Sequence, residues 1–148
     1  MTGYRKTDQT EGDEDHGILS EMWTMTGSMS TDYKDLVAWQ RAMELVKEVY
    51  RCTRAFPRDE MFGLTSQMRR AAISVPSNIA EGKGRHSTRE LVQFLYTARG
   101  SLLELETQIC ISRDLGYLEE ASAKNLSTRV VEVARILSGL INRFQHAA

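Results

Sequence analysis

Apolar residues recur every three or four positions from Asp35 onward, which is the spacing of one face of an α-helix. The first such segment has Asp32 as a candidate N-cap and ends before Pro57, because the residue preceding a proline avoids the helical conformation. The pattern predicts a helix from about residue 34 to residue 55. Its apolar stripe consists of Leu36, Trp39, Met43, Val46, Val49 or Tyr50, Thr53 and Phe56.

A second apolar stripe covers residues 64–79 and stops at a pair of glycines. Pro76 lies inside this segment, and an interior proline removes one backbone hydrogen bond and crowds the preceding turn. We therefore predict a bend near Ile73, a helix that restarts there, or a helix that is still continuous. Ser74 or Ser77 is placed to bond the backbone groups that the proline frees.

The third segment opens with a capping box, in which the Ser87 side chain bonds the Glu90 amide and the Glu90 side chain reaches back. Gly116 suits the position after the C-cap, so the predicted helix has about 28 residues and a length of about 42 Å. A second apolar edge on this helix indicates two helical neighbours, and it consists of Val92, Tyr96, Leu103 and Cys110. A fourth amphipathic helix is predicted from about residue 119 to residue 145.

Four long helices joined by short loops bury their stripes together only around one common core. Since no segment has the pattern of a strand, the predicted fold is all-α, an antiparallel up-and-down four-helix bundle over residues 35–148. Residues 1–34 have no helical or strand period and are predicted to be a disordered N-terminal tail, a flexible acidic extension. A competing interpretation makes a short docking element of Ile18, Leu19, Met22, Trp23 and Met25.

The charge of the chain is unevenly distributed. The 148 residues, 41% of them hydrophobic, suit one globular domain, and the formal charge of −1 is close to neutral. Residues 1–34 hold three basic and seven acidic side chains, a charge of −4, whereas residues 35–148 hold 16 basic and 13 acidic side chains, a charge of +3. The positive bundle keeps nucleic acid open as a partner, and the acidic extension could screen its surface.

Two groups of basic residues are candidate nucleic-acid or anion contacts. The first group lies around the predicted N-terminus of the third helix and consists of Lys83, Arg85, His86 and Arg89. Helix dipole and free amides favour an anion there, although the loop lacks the spacing of a P-loop. The second group lies at the end of the first helix and consists of Arg51, Arg54 and Arg58. Antiparallel packing places the two groups at opposite ends of the bundle; the simpler interpretation of each is a solvated surface.

A structural polar network is expected on the second and third helices, and its members are Arg69, Arg70, Asn78, Glu81, Glu104 and Glu106. Glu104 and Glu106 flank an apolar core position, so at least one of them lies at the edge of the stripe. There it can pair across helices with one of three arginines, Arg69, Arg70 or Arg99. The Asn78 amide is placed to bond backbone groups near Pro76.

No catalytic residue, metal site or cofactor is predicted. The three histidines are far apart in the sequence, and no helix carries the Glu-x-x-His pair of di-iron bundles. Cys52 and Cys110 have no second ligand at metal spacing, so we expect free thiols. The chain has no apolar run long enough to cross a bilayer and no secretory signal, so we expect no membrane association and a cytoplasmic location.

Six stretches together carry a family resemblance: DLVAWQ at 35–40, GLTSQMRRAA at 63–72, SVPSNIAEG at 74–82, STRE at 87–90, GSLLELETQ at 100–108 and DLGYL at 114–118. They resemble the bacterial four-helix-bundle family first recognised as proteins encoded by intervening sequences of 23S ribosomal RNA genes. The resemblance covers residues 35 to 145. It implies an up-and-down bundle that assembles as a ring-like homopentamer, similar in fold to the accessory proteins of diversity-generating retroelements, which bind reverse transcriptase and nucleic acid.

We therefore expect a non-enzymatic, oligomeric helical bundle that serves as an assembly or binding module. Its expected partners are RNA, DNA or a protein such as a nucleic-acid enzyme. The alternative is a bundle that binds a small ligand or an anion at the basic loop between the second and third helices, residues 83–89.

Overall fold

The computed structural model describes residues 32–147, and side chains are described as far as residue 146. The acidic extension and the docking element at residues 18–25 lie outside the described residues. The bundle consists of α1 (Val37–Thr53), α2 (Leu64–Lys83), α3 (Thr88–Asp114) and α4 (Glu120–Ala147). Short 3-10 turns at Tyr33–Asp35 and Arg58–Glu60 precede α1 and α2.

Each helix packs against two others, so that α1 contacts α2 and α4, and α3 contacts α2 and α4. The contacts between α2 and α3 run in opposite order along the two helices: Met68 meets Ser112, and Ser74 meets Ser101. This order shows antiparallel packing. No strand is present among residues 32–147, and the predicted all-α four-helix bundle is confirmed.

The core contains the apolar stripe of every helix. Leu45, Met68, Leu105 and Leu137, one from each helix, are completely buried. The helices end close to the predicted positions, except that α1 is shorter at both ends than the predicted 34–55. Leu36 has an extended backbone, and the turn Tyr33–Asp35 covers the residues before it.

Sequence-encoded caps fix the ends of α3. The Ser87 hydroxyl accepts from the Glu90 amide at 3.2 Å, and the same hydroxyl donates to the Glu90 carboxylate at 3.2 Å. At the other end, Gly116 has φ of 79°, a left-handed conformation that favours glycine. This lets the Tyr117 amide donate to the Ser112 carbonyl at 2.8 Å, so α3 ends where the sequence predicted.

Pro76 does not interrupt α2, which is one continuous helix from Leu64 to Lys83. The Ser77 hydroxyl donates to the Ile73 carbonyl at 2.8 Å, and the Asn78 amide donates to the Ser74 carbonyl at 2.7 Å. These side chains supply donors in the turn where the proline has none. The restart is therefore wrong and the continuous helix is confirmed, as is the predicted bonding of backbone by Ser77 and Asn78.

Candidate nucleic-acid interface

The basic loop between α2 and α3 is partly neutralised within the chain. Arg85 pairs with Glu81 at 2.8 Å, and its guanidinium carbon lies 4.8 Å from the centre of the Phe94 ring. His86 and Arg89 are exposed, whereas Lys83 is half-buried. The structure thus brings the predicted group together at one end of the bundle, but it directs Arg85 toward its own carboxylate and ring.

A small cavity lies behind this loop, with Lys83, Leu91 and Phe144 in its wall. Its volume is about 20 Å³, and a cavity of this size holds about one water molecule. The small-ligand alternative therefore has no enclosed site behind residues 83–89. An anion there would have to bind at the exposed N-terminal turn of α3.

The second basic group lies at the C-terminal end of α1. Arg51 donates to the Glu48 carboxylate at 2.9 and 3.1 Å, and these bonds lower the pKa of Glu48 below its usual value. Arg54 and Arg58 are exposed. The neighbouring Cys52 is a free thiol whose pKa is raised by burial. The three arginines do lie at one end, but one of them is held by a carboxylate.

The two ends of the bundle differ in charge once their carboxylates are included. The end around the loop between α2 and α3 holds four basic side chains, Lys83, Arg85, Arg89 and Arg143, against three acidic ones, Asp35, Glu81 and Glu90, a charge of +1. The opposite end holds three basic side chains, Arg54, Arg58 and Arg113, against five acidic ones, Asp59, Glu60, Asp114, Glu119 and Glu120, a charge of −2. The second predicted basic group therefore lies in acidic surroundings, and the first keeps a small positive charge.

The residues of the predicted polar network on α2 and α3 bond to partners that differ from the predicted ones. Arg69 donates to the Thr53 hydroxyl at 2.9 Å and lies 4.5 Å from the Tyr50 ring centre, so it links α2 to α1. Glu104 accepts from Gln108 at 3.3 Å on its own helix. Glu81 pairs with Arg85.

The predicted ion pairs between α2 and α3 are not formed within residues 32–147. Glu104 and Glu106 do not lie within 4.0 Å of Arg69, Arg70 or Arg99. Arg99 instead covers the Tyr96 ring, with its guanidinium carbon 4.8 Å from the ring centre. The guanidinium groups of Arg69 and Arg99 thus stack on aromatic rings, and this stacking competes with ion pairing to carboxylates.

Small polar residues hold α2 and α3 close together. The Ser74 and Ser101 hydroxyls are 2.9 Å apart, and Asn78 donates to the Ser74 hydroxyl at 2.9 Å. Beside them runs an open groove of about 290 Å³, whose walls include Arg70 and Glu104. Three residues of the predicted network, Arg70, Asn78 and Glu104, lie along this contact between α2 and α3. Its hydrogen bonds fix the register of the two helices.

Within residues 32–147, the ion pairs that join helices lie between α1 and α4, where none was predicted. Arg41 pairs with Glu132 at 3.1 Å, and Glu44 lies 3.9 Å from Arg129. Each helix therefore presents one arginine and one glutamate three residues apart, in the order that antiparallel packing matches. The Arg-x-x-Glu spacing on both segments was the available signal.

The outward face of α3 carries exposed apolar side chains beside the exposed Glu104. Leu103 is 62% exposed and Ile111 is 44% exposed, and Gly100 and Thr107 complete the same face at helical spacing. A Cβ atom at Gly100 would meet nothing within 4 Å. A separate apolar group, Met61 and the 95% exposed Phe62, lies in the turn before α2.

Residues 32–147 hold neither a metal-binding cluster nor a membrane-spanning helix. No group of three or more His, Cys, Asp or Glu side chains is placed to hold a metal ion. No helix in this part of the chain is both long enough and apolar enough to span a bilayer.

Comparisons with known proteins agree with the bundle geometry. The family model described as 23S rRNA-intervening sequence protein matches residues 34–139. A crystal structure of a protein with unknown function from the S23 ribosomal protein family of Bacteroides thetaiotaomicron is similar in fold, with a TM-score of 0.65 and 18% sequence identity. The similarity covers 71% of this chain and 98% of that one. No curated protein matches the chain. Since the family model spans well over half of the sequence, the chain belongs to the 23S rRNA-intervening sequence protein family.

Proposed function

We propose that the protein is a non-enzymatic module that assembles into a homo-oligomer and binds nucleic acid or an enzyme that acts on nucleic acid. The observation that carries the proposal is the pair of exposed apolar side chains, Leu103 and Ile111, on the outward face of α3. Exposed apolar side chains that share one helix face commonly mark a surface that another protein covers.

Gly100 supports the same surface. Glycine inside a helix costs about 0.5–1 kcal/mol relative to alanine. No contact among residues 32–147 explains a glycine at this position, because a Cβ atom at Gly100 would have open space around it. A glycine at this position does allow the backbone of a second copy to approach closely. We infer that copies of the chain meet along α3, in the homopentamer that the family resemblance implies.

The nucleic-acid part of the proposal rests on charge. Residues 35–148 carry +3, and a ring of five copies would present about +15. A repeated positive surface favours a polyanion through release of its counterions. We place this function in the cytoplasm, where free thiols such as Cys52 and Cys110 persist.

Static light scattering on the full chain tests the assembly. A pentamer has a mass of about 84 kDa, five times the 16.8 kDa of the monomer. Leu103→Glu should dissociate the oligomer, whereas the matched control Ile73→Glu, which also puts a charge at an exposed apolar position, should leave the mass unchanged. A wild-type mass of 16.8 kDa would contradict assembly, and an unchanged mass for Leu103→Glu would contradict the α3 surface.

Gel shifts of labelled RNA and DNA test the ligand. Binding should be strong at about 50 mM salt and should weaken steeply as salt rises. Absence of binding to both nucleic acids at low salt would contradict the nucleic-acid part of the proposal and leave a protein partner.

A further inference from the structure

The facing parts of α1 and α4 carry a positive surplus. Residues 41–51 and 124–135 hold six basic side chains: Arg41, Lys47, Arg51, Lys124, Arg129 and Arg135. They hold three acidic side chains: Glu44, Glu48 and Glu132. This α1–α4 face therefore has a charge of +3. The charge elsewhere is smaller: α2 and α3 between their ends have Arg69, Arg70 and Arg99 against Glu104 and Glu106, a charge of +1, and the two ends have +1 and −2.

The three carboxylates of this face are already used. Glu132 is held by Arg41 at 3.1 Å, Glu44 lies 3.2 Å from Arg41, and Glu48 is held by Arg51 at 2.9 Å. Glu44 also lies 3.9 Å from Arg129, so the three carboxylates are engaged by Arg41, Arg51 and Arg129. Three exposed cations on the face, Lys47, Lys124 and Arg135, form no ion pair within the described part of the chain.

A groove follows the outward side of α4 between two of these cations. It is shallow and open, and its lining residues all belong to α4: Lys124, Ser127, Thr128, Val131, Glu132 and Arg135. Lys124 and Arg135 stand 11 positions apart, which is about 16 Å along a helix. Between them, the Ser127 hydroxyl can donate a hydrogen bond to an anionic oxygen, whereas the Thr128 hydroxyl donates to the Lys124 carbonyl at 2.9 Å.

We propose that the α1–α4 face, through the Lys124–Arg135 groove, is the surface that binds the phosphodiester backbone of a nucleic acid. This inference rests on the proposed function and names its contact surface. Cations with a hydroxyl between them along one groove suit a chain of phosphates, and contacts to phosphate carry no base preference. The face lies on the side of the bundle opposite α2 and α3, and the outward face of α3 stays available for assembly.

Fluorescence anisotropy on the full chain tests the site, with a labelled single-stranded RNA and a labelled DNA duplex as probes. The variant is Lys124→Glu with Arg135→Glu. The matched control is Arg85→Glu with Arg89→Glu, which changes the net charge by the same amount at the end of the bundle. The four side chains are exposed, and circular dichroism checks that both proteins fold. A second variant, Lys124→Gln with Arg135→Gln, removes the cations without adding acid.

The groove variants should weaken binding of both probes on the order of tenfold and lower the salt-dependence slope by about 1.4 for RNA and 1.8 for DNA, the loss of two phosphate contacts. The control should retain the wild-type slope. Equal losses in both proteins, or a larger loss in the control, would overturn the site while the proposed function stands. Absence of wild-type binding to both probes would overturn the site and the nucleic-acid part of the proposed function. Binding of only one probe, with loss in the groove variants, would support the site and identify its nucleic acid.

Discussion

Gly82→Ala should destabilise the bundle, although alanine is the better helix former. Gly82 is buried in the last turn of α2, against the first turns of α3. An added Cβ atom would lie 2.8 Å from the Phe94 Cβ and 3.3 Å from the Leu91 carbonyl oxygen. A Cβ and a carbonyl oxygen cannot rotate away, so α2 and α3 must separate by about 0.6 Å to reach ordinary contact.

Overpacking of this kind costs about 1–3 kcal/mol, and the helix preference of alanine over glycine returns up to about 1 kcal/mol. The expected net loss is about 1–2 kcal/mol in the free energy of unfolding. Urea melts followed by circular dichroism at 222 nm, at one fixed protein concentration, measure it.

Gly84→Ala is the matched control, two positions further along the chain. Its Cβ would lie 3.5 Å from the Glu81 carbonyl oxygen, which is ordinary contact, and the backbone there has a helical φ of −80°. This variant should change the free energy of unfolding by only a few tenths of a kcal/mol. A Gly82→Ala protein as stable as wild type would refute the close-approach argument, since the two helices would then be free to adjust.

Three further changes have defined outcomes. Gly116→Ala forces a side chain into a left-handed φ of 79° and should cost about 1–2 kcal/mol in urea melts; an unchanged midpoint would show that the turn rearranges. Because the Arg51 hydrogen bond lowers the pKa of Glu48, its stabilisation is present above the unfolded pKa and is lost as the pH falls through the folded pKa. Glu48→Gln should therefore lower stability by a few tenths of a kcal/mol at pH 7, with the difference shrinking as the pH falls below the ordinary glutamate pKa of about 4.3. Removal of residues 1–31, which hold two basic and six acidic side chains, should strengthen nucleic-acid binding at low salt in gel shifts, and equal binding would contradict screening by the extension.

Local sequence signals predict those features of the fold, such as helix ends, that depend on interactions within one helical turn. Ser87 and Gly116 set the ends of α3 because a cap depends on backbone groups within one turn. The effect of Pro76 on α2 was harder to predict. Core packing and the hydrogen bond from the Ser77 hydroxyl keep the helix continuous, although proline disfavours a helix interior. The rotation of each helix about its axis is set by all of its neighbours. Glu104 consequently bonds Gln108 and no arginine on another helix, while the cross-helix ion pairs form at Arg41 and at Arg129.

The contacts between helices differ in sequence separation, and this difference has a consequence for folding kinetics. The Ser74–Ser101 contact closes 27 residues, whereas the Glu48–Asn125 contact between α1 and α4 closes 77. The loop-closure cost of about (3/2)RT ln n is about 1 kcal/mol larger for the second contact, so α2 and α3 can meet first and α4 docks against α1 late. The α1–α4 seam is then the side that opens early in unfolding. A polyanion that spans both helices would hold this seam closed and slow the unfolding rate.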